Sequence, residues 1–392
     1  MAEKPHKHYG KQFLEQENMI FNWMSPARRI DFGKRVGVMS GLFGVLVVLA
    51  QLCFLFPDIL VSKDLRPFYH EHLPIFRMLL QIVTLATIAL GLSSVLILRS
   101  KAHGVVGICL GVLVLLMGGW NVQFIPTGEL KLTVGLDYFV LELFVLGLLF
   151  IPMERLWTLK EQKIFRKGWQ TDLKHFFVSH AGVQFLSFLT LIPVQMAFAF
   201  TRDMHYRDYI ASLPVWLQFF MILFCVDMVS YWVHRAFHTV PALWKFHAIH
   251  HSSLHMDWLA GSRTHIVDSL VNRTLGFVPI FVLGFSAGAI YAYLAFVSFH
   301  AVYIHANVRH RWPGLRWIFA TPEFHHWHHT SDEEGIDKNF AVFLSFIDVL
   351  FRTAHLPSHW PKAYGTTKWQ PPETYLGQLA YPFKKQDDTP YG

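Results

Sequence analysis

The chain has 392 residues, of which 53% are apolar and 16% are charged. This balance, with a positive mean hydropathy, is typical of a multi-span membrane protein and argues against a soluble enzyme. The net charge of +7 with histidine neutral fits loops that face anionic lipid. No basic stretch is interleaved with aromatic residues, so nucleic acid is not expected as a partner. The three cysteines lie in apolar segments without a CxxC motif, which argues against disulfides and thiolate metal sites.

After a polar, basic N-terminal segment, six apolar stretches approach the roughly 20 residues that a helix needs to cross a bilayer. They lie near residues 36–56, 76–98, 104–120, 136–152, 176–200 and 213–233. A further apolar stretch, 274–304, is interrupted by Gly284 and Gly288, and its halves are too short for two crossings. We therefore expect a helical hairpin there that enters the membrane and returns on the same side.

The loops between these stretches differ in charge. The N-terminal segment, the turn at 99–101 and the loop at 153–175 are basic, whereas the loops at 57–75 and 121–135 carry mixed or little charge. The positive-inside rule then places the N-terminus in the cytoplasm and ends the sixth span there, where the first histidine cluster begins. We predict an all-α, polytopic transmembrane protein with a cytoplasmic, histidine-rich helical cap.

Three histidine clusters have the spacing of one helix face. They read HxxxH, HxxHH and HxxHH, and comprise His234, His238, His247, His250, His251, His325, His328 and His329. Residues three and four apart share a face of a helix, and imidazole suits iron, zinc, copper or nickel. One such pair alone is more often an ordinary polar pair, but three clusters beside long apolar segments indicate a shared metal centre. Because one zinc takes about four ligands, eight candidates suggest two metals.

The clusters and their surroundings resemble the fatty acid hydroxylase / sterol desaturase superfamily. The resemblance extends over residues 155–357 and rests on the clusters together with Tyr231-Trp232-Val233-His234-Arg235, Thr321-Pro322-Glu323-Phe324-His325 and Asp337-Lys338-Asn339-Phe340. It implies an integral membrane di-iron oxygenase with an all-imidazole set of ligands. It also implies further ligands between the second and third clusters.

Three more histidines are candidates on the strength of this resemblance. His305 is the best match for an additional ligand, and His265 matches a position where the family often carries histidine. His310 is close to a position where some relatives have a ligand, and its role stays open. His326 points away from the face that its neighbours share, so we expect it at the surface or behind the ligands.

Three polar residues complete the predicted site as candidate catalytic residues. Asp227 precedes His234 by seven residues, which places both on nearly the same helix face, and an acid inside an apolar segment is costly unless it is used. Asp337 lies in a motif that carries the resemblance, and Asn307 follows the candidate ligand His305 by two residues. Ligand imidazoles usually donate their second N–H to an acceptor, so the two acids are expected behind the ligands, although Asp227 could instead line the substrate tunnel. A local capping or turn role is the alternative for both.

The predicted domains follow from these segments. We expect a cytoplasmic N-terminal segment over residues 1–35, an accessory module of about four transmembrane helices over 36–152, a fatty acid hydroxylase-like catalytic domain over 153–360, and a cytoplasmic tail over 361–392.

The cofactor expectation is two iron ions, although purified protein could carry zinc, which binds comparable sites more tightly than ferrous iron. The sequence shows no GxGxxG motif opening a βα unit, no CxxC cluster and no cytochrome b5-like haem segment. Electrons are therefore expected from a separate donor of the cytochrome b5 or ferredoxin type.

The favoured function is O2-dependent hydroxylation of a lipid, with desaturation less favoured. The broad group that the chain resembles includes alkylglycerol monooxygenases, sterol C-4 methyl oxidases and hydroxylases of bacterial aminolipids, so a sterol, an ether lipid or an acyl lipid fits. One alternative is a histidine-rich metal-binding or transport protein, whose ligands would lie within several spans near the midplane. Another is a bis-histidine haem cytochrome, which would need histidine pairs facing each other across spans.

Overall fold

A computed structural model describes residues 25–98, 101–126, 134–181, 183–367 and 369–384. The chain is about 70% helical, and no β-strand forms within these described residues. The predicted all-α class is confirmed. The chain divides into two compact units, residues 1–140 and 141–392. The second unit thus takes in the predicted tail as far as it is described, and the boundary lies twelve residues before the predicted end of the accessory module at residue 152.

Three long helices form the first unit. They are α1 (Pro26–Leu55), α2 (Leu73–Leu92) and α3 (Lys101–Leu116), and each packs against the other two. Small residues allow the close approach of α1 and α3, because a Cβ at Gly107 would overlap the Ser40 side chain. Val47, Leu80 and Val114 form the core between the helices, while apolar side chains such as Leu116 point outward, 80% exposed.

The short helices Pro57–Leu60 and Arg66–Glu71 also lie in the first unit, and the second unit contains the α-helices that follow α3. In chain order they are α4 (Leu136–Leu156, whose first residues belong to the first unit), α5 (Trp169–Ala181), α6 (Val183–Ala197), α7 (His205–Ser212), α8 (Val215–Thr239), α9 (Pro241–His251), α10 (Ile266–Leu283), α11 (Ala287–Tyr303), α12 (Pro322–His328), α13 (Phe346–Leu350) and α14 (Tyr375–Ala380). α8 is central, since it packs against α9, α10 and α11. Its residues Ile222, Leu223 and Val226 belong to a hydrophobic core that also includes Phe324 and Phe340, near the histidine clusters.

Five helices of the described chain are long and apolar enough to cross a membrane. They are Arg28–Leu55, Leu73–Leu96, Leu136–Leu156, Val215–Thr239 and Ile266–Leu283. Lys101–Leu116, Phe188–Ala197 and Ala287–Tyr303 are apolar but shorter. The protein is therefore a multi-pass membrane protein. The stretch predicted as one span at 176–200 is divided between the end of α5 and α6.

The predicted membrane hairpin corresponds to α10 and α11, with one difference. α10 begins at Ile266, eight residues before the predicted start, because the His265 side chain caps it by accepting the Val267 N–H at 3.1 Å. At 18 residues, α10 is long enough to cross a membrane, whereas α11 is not. Gly284, with φ +72°, ends α10 in the left-handed conformation that glycine adopts at low cost. A return on the same side of the membrane stays a prediction.

Chain breaks beside the apolar helices position the histidines. α8 ends at Thr239 and α9 begins at Pro241, where proline fits the first helical turn, so the chain turns sharply between the first two clusters. The third cluster lies on the short helix α12, which is capped by the Thr321 hydroxyl and starts at Pro322. Local cap and proline chemistry thus places three short histidine-bearing segments next to one another.

Candidate metal centre

Nine histidines converge in two groups, and within each group one ring nitrogen of every residue lies within 4.8 Å of the others. The five-histidine group consists of His234, His238, His247, His251 and His328, and the four-histidine group of His250, His305, His325 and His329. The side chains are buried, including that of His238, which is only 4% exposed. The structure therefore brings together nine of the ten predicted ligands.

Each HxxHH motif is divided between the two groups. On α9, His247 and His251 belong to the five-histidine group, whereas His250 belongs to the four-histidine group. On α12 and its C-cap, His328 belongs to the first group and His325 and His329 to the second. Both histidines of α8, His234 and His238, belong to the five-histidine group. His305, which lies just after α11, belongs to the four-histidine group. The two HxxHH segments therefore bridge two adjacent sites.

In the five-histidine group, the outer ring nitrogens are held by acceptors. His234 Nδ1 lies 2.7 Å from the Phe340 carbonyl oxygen and His247 Nδ1 lies 2.7 Å from Asp268 Oδ2. Because a carbonyl or carboxylate oxygen can only accept, each Nδ1 carries the proton and each Nε2 presents a lone pair.

Two further ligands of this group follow the same pattern. His328 Nδ1 donates to the Lys338 carbonyl at 2.9 Å, and His238 Nδ1 to Asp337 Oδ1 at 3.2 Å. Their Nε2 atoms are likewise lone-pair donors that face inward.

These inward-facing nitrogens lack partners within the described chain. Nε2 of His238, His251 and His328 is buried without a hydrogen bond, and Nε2 of His234 lies 3.0 Å from Nε2 of His247 although both are acceptors. A buried polar atom without a partner is costly, and two facing lone pairs repel each other. A cation between them removes both problems, so this group fits a metal ion.

The four-histidine group has the same character with different outer partners. His250 Nδ1 donates to the Arg263 carbonyl at 3.1 Å and His305 Nδ1 to the Ala301 carbonyl at 2.7 Å. Their Nε2 lone pairs face each other at 3.3 Å.

His325 Nε2 lies 2.9 Å from His305 Nε2 and 3.0 Å from His329 Nε2. A single proton on His325 can satisfy only one of these contacts. A shared cation satisfies all of them, so the second group also fits a metal.

Burial and mutual repulsion keep these imidazoles neutral. The pKa of His250, His251, His325, His328 and His329 is held well below the ordinary value of 6.5, first by burial and then by the neighbouring imidazoles. Burial also lowers the pKa of His305 to about 4. Since only neutral imidazole binds metal, the site is ready for metal at neutral pH.

The predicted catalytic residue Asp227 lies away from both groups. Its carboxylate accepts backbone N–H groups of Val342, Phe343 and Leu344 at 2.8, 3.0 and 2.6 Å. It therefore pins the segment that follows Phe340, whose carbonyl holds His234. Asp227 is a positioning residue and not a residue that touches a metal.

The other two predicted catalytic residues also lie outside the histidine groups. Asp337 contacts His238 as expected of a residue behind a ligand, and its side chain is 57% exposed. Asn307 pairs with the backbone of Lys160, accepting its N–H at 2.9 Å and donating to its carbonyl at 2.7 Å. Asn307 thus anchors the chain directly after His305.

Three other histidines considered in the sequence are not ligands in this geometry. His265, a predicted ligand, lies outside both groups, where its Nδ1 caps α10 and its Nε2 lies 3.2 Å from the Leu379 carbonyl. His310 pairs with the Tyr303 hydroxyl at 3.1 Å. His326 is fully buried behind the four-histidine group, where its Nδ1 contacts the Tyr364 hydroxyl and its Nε2 contacts the Ala306 carbonyl.

Asp268, which was not predicted, is the acid closest to the centre. It lies in the first turn of α10, contacts His247 at 2.7 Å, and is itself oriented by Asn272 Nδ2 at 2.6 Å. Its position three residues after His265, at the start of an apolar helix, was the available sequence signal.

A buried ionic network, also not predicted, borders the four-histidine group. Arg166 contacts Asp257 at 2.7 Å and Asp172 at 2.7 Å, and Asp172 contacts Arg263 at 2.5 Å. All four residues are buried. The carbonyl of Arg263 is the acceptor for His250, so the network fixes that acceptor. No local pattern in the sequence marks it.

The structure thus defines a multi-pass membrane protein with a buried, all-imidazole centre that could hold metal, and comparisons with known proteins agree. Residues 219–353, which contain all nine histidines, match the model of the fatty acid hydroxylase family. The ornithine lipid hydroxylase OlsE of Rhizobium tropici is 27% identical over 239 residues, which cover 60% of this chain and 71% of that protein.

Human alkylglycerol monooxygenase is 31% identical over 129 residues, covering 33% of this chain and 28% of that enzyme. The very-long-chain aldehyde decarbonylase GL1-4 of Oryza sativa subsp. indica is 27% identical over 139 residues, which cover 33% of this chain and 22% of that protein. The match thus spans less than a third of these two relatives. No solved structure matches the chain. The chain contains a fatty acid hydroxylase domain, which confirms the resemblance to the fatty acid hydroxylase / sterol desaturase superfamily.

Proposed function

We propose that this protein is a membrane-bound di-iron oxygenase that uses O2 and electrons from an external donor to hydroxylate a C–H bond of a lipid. The observation that carries the proposal is the convergence of nine buried imidazoles, in two adjacent groups, with unpaired nitrogens facing inward. The names of the relatives support the lipid substrate, since they describe an ornithine lipid hydroxylase and an alkylglycerol monooxygenase. A sterol, an ether lipid or an acyl lipid remains within the proposal.

The balanced reaction requires a source of electrons. Inserting one oxygen atom of O2 into a C–H bond and reducing the other to water consumes two electrons and two protons. Two iron ions, one in each histidine group, supply when bound the one-electron chemistry that side chains lack. A protein of the cytochrome b5 or ferredoxin type is the proposed source of electrons.

The chain's own residues contribute orientation and shielding. The outer acceptors, namely Asp268, Asp337 and four backbone carbonyls, fix each bonded imidazole with its Nε2 inward. Apolar side chains such as Phe340 and Trp244 pack against the rings and exclude water. The groups lie at the C-terminal end of α8, so a lipid chain can approach from the bilayer. We propose that this end, and the N-terminus, face the cytoplasm, in accordance with the charge of the loops.

The ligand positions favour an oxygenase over a metal transporter. A transporter would place ligands near the midplane of several spans. Here His234 and His238 lie in the last turns of α8, and the other seven lie outside the candidate spans.

The proposal is tested by metal content per purified chain, measured by elemental analysis after iron reconstitution. We expect about two metal ions in the wild type, a marked loss in His250→Ala and His305→Ala, and no loss in the matched control His265→Ala. Lipid analysis of cells with and without the active protein would then identify the hydroxylated product. A reconstituted wild type that holds no metal would contradict the proposal.

A further inference from the structure

Three ionisable residues lie near one another on helices of the second unit, outside both histidine groups. They are Glu142 on α4, His180 on α5 and Arg273 on α10. Glu142 Oε2 lies 2.8 Å from His180 Nε2, and His180 Nδ1 lies 2.6 Å from the Phe176 carbonyl. Glu142 and His180 therefore satisfy each other.

Arg273 has no such partner. It is half-buried in a helix long and apolar enough to cross a membrane, and within the described part of the chain it forms no ion pair or hydrogen bond. Glu142 is near enough for electrostatic attraction, but it is engaged by His180 and does not reach ion-pair distance from Arg273. Among the described residues, the Arg273 guanidinium therefore has no counter-ion at ion-pair distance.

An unpaired guanidinium is costly in this setting. Arginine stays protonated in proteins, so deprotonation cannot remove the free-energy cost of burying its charge. Ionisable residues inside membrane spans pair with one another or mark the path of a substrate or ion. Since the described residues provide Arg273 with no ion-pair partner, a counter-ion from outside the chain fits this position.

The position of Arg273 points to the substrate as that counter-ion. Arg273 follows Asp268 on α10 by five residues, which is about 7.5 Å along a helix axis, and Asp268 contacts the ligand His247. Arg273 is also about 140° around the helix from Asp268, so an anion held by Arg273 lies about one and a half turns of α10 from the residue that orients His247. A guanidinium matches the two oxygens of a carboxylate or a phosphate with two parallel N–H donors.

We infer that Arg273 binds the anionic group, a carboxylate or a phosphate, of the lipid substrate. The inference rests on the proposed function for the statement that the bound lipid is a substrate. Arg273 then sets the distance between the lipid's charged group and the metals, and so decides which carbon reaches them.

The test compares two anionic lipids with a neutral one. The affinities of oleate and oleyl alcohol for the full-length, metal-loaded protein are measured by calorimetry in a neutral detergent, and lysophosphatidic acid provides the phosphate arm. We expect the wild type to bind at least one of the two anions about tenfold or more tightly than the alcohol, as expected of hydrogen bonds to a charged group. Arg273→Met should remove this preference and Arg273→Lys should retain part of it.

The control variant is Lys174→Met, which removes the same charge from an exposed position on α5 and should keep the preference for the anion. If Arg273→Met prefers the anions as strongly as the wild type, Arg273 contacts bulk lipid and the inference is wrong. Metal content is measured on the same samples. Absent metal would contradict the proposed function without bearing on the charge preference, so the two failures are distinguishable.

Discussion

At the scale of single residues, the outer hydrogen bond of each histidine decides which ring nitrogen can bind metal. Where Nδ1 donates to a fixed acceptor, Nε2 is left as a lone pair, and the ring cannot rotate away without losing that bond. The strongest outer acceptors are carboxylates. Asp268 at 2.7 Å from His247 is buried, whereas Asp337 at 3.2 Å from His238 is largely exposed. These two acids should therefore differ in importance.

We predict that Asp268→Asn weakens metal binding more than Asp337→Asn. Asparagine keeps the shape but loses the charge that raises the basicity of His247, and loss of such an outer acceptor typically costs about 10–100-fold in metal affinity. Metal retained during titration with a chelator measures the effect for each purified variant. Solvent screening of the exposed Asp337 should keep its effect small. Equal losses from the two variants would contradict the assigned ranking.

A second feature at this scale is that several charged residues lie within apolar helices. Asp227 and Asp268 both lie in apolar helices, yet only Asp268 reaches a ligand, while Asp227 holds backbone N–H groups. Glu142 and Arg273 were not singled out from the sequence, because a single charged residue in an apolar stretch does not show which helices will face it.

At the scale of structural elements, the segment between α9 and α10 supports the four-histidine group. The Arg263 carbonyl accepts from His250, and Gly261 lies against the His305 ring, where a Cβ would come within 2.7 Å of Nδ1. The segment is held down by the Arg166–Asp257 contact, which joins residues 91 positions apart. Disturbing this segment should therefore affect one metal group more than the other.

We predict that Asp257→Asn and Gly261→Ala each lower the metal content towards one ion per chain. The first weakens the anchor of the segment, and the second pushes His305 out of place, while α8 and its two ligands are unchanged. Metal analysis, with circular dichroism to confirm folding, measures the outcome. The matched control is Lys167→Met, which removes an exposed ion pair with Glu373 and should leave the metal content unchanged. Loss of both metals in parallel from the two folded variants would contradict a selective role.

At the scale of the whole molecule, burying so many imidazoles ties stability to pH. The lowered pKa of these histidines means that the folded chain binds fewer protons than the unfolded chain at mildly acidic pH. Stability is therefore undiminished above about pH 6.5, the ordinary histidine value, and falls as the pH drops below it.

We predict that the metal-free protein loses thermal stability progressively between about pH 6.5 and 5. Bound metal should stabilise the chain, and protons should compete with it over the same range. Thermal unfolding in detergent at a series of pH values, with and without metal, checks both statements. His305→Ala should reduce the pH dependence of the unfolding midpoint. The control variant His359→Ala, at a more exposed position, should leave it unchanged. A midpoint independent of pH across this range would be evidence against neutral, buried ligands.

The sequence alone determined the helical membrane class and the eight histidines of the three clusters, because apolar length and the spacing of three and four residues are local properties. It also pointed to His305, through the resemblance. It placed α10 too late, since a histidine cap was not recognised as the start of a helix.

Only the tertiary structure decided how the histidines divide. His247 and His250 share one helix face, and spacing cannot reveal that they serve different groups, because this depends on whether α8 or the end of α11 lies opposite. Sequence spacing equally could not reveal the contact of Asp268 with His247, the Arg166 network or the position of His265 as a helix cap. Each depends on contacts between segments that are far apart in the chain. These contacts form only when the apolar helices pack together, because the few polar groups between the helices then form hydrogen bonds with one another.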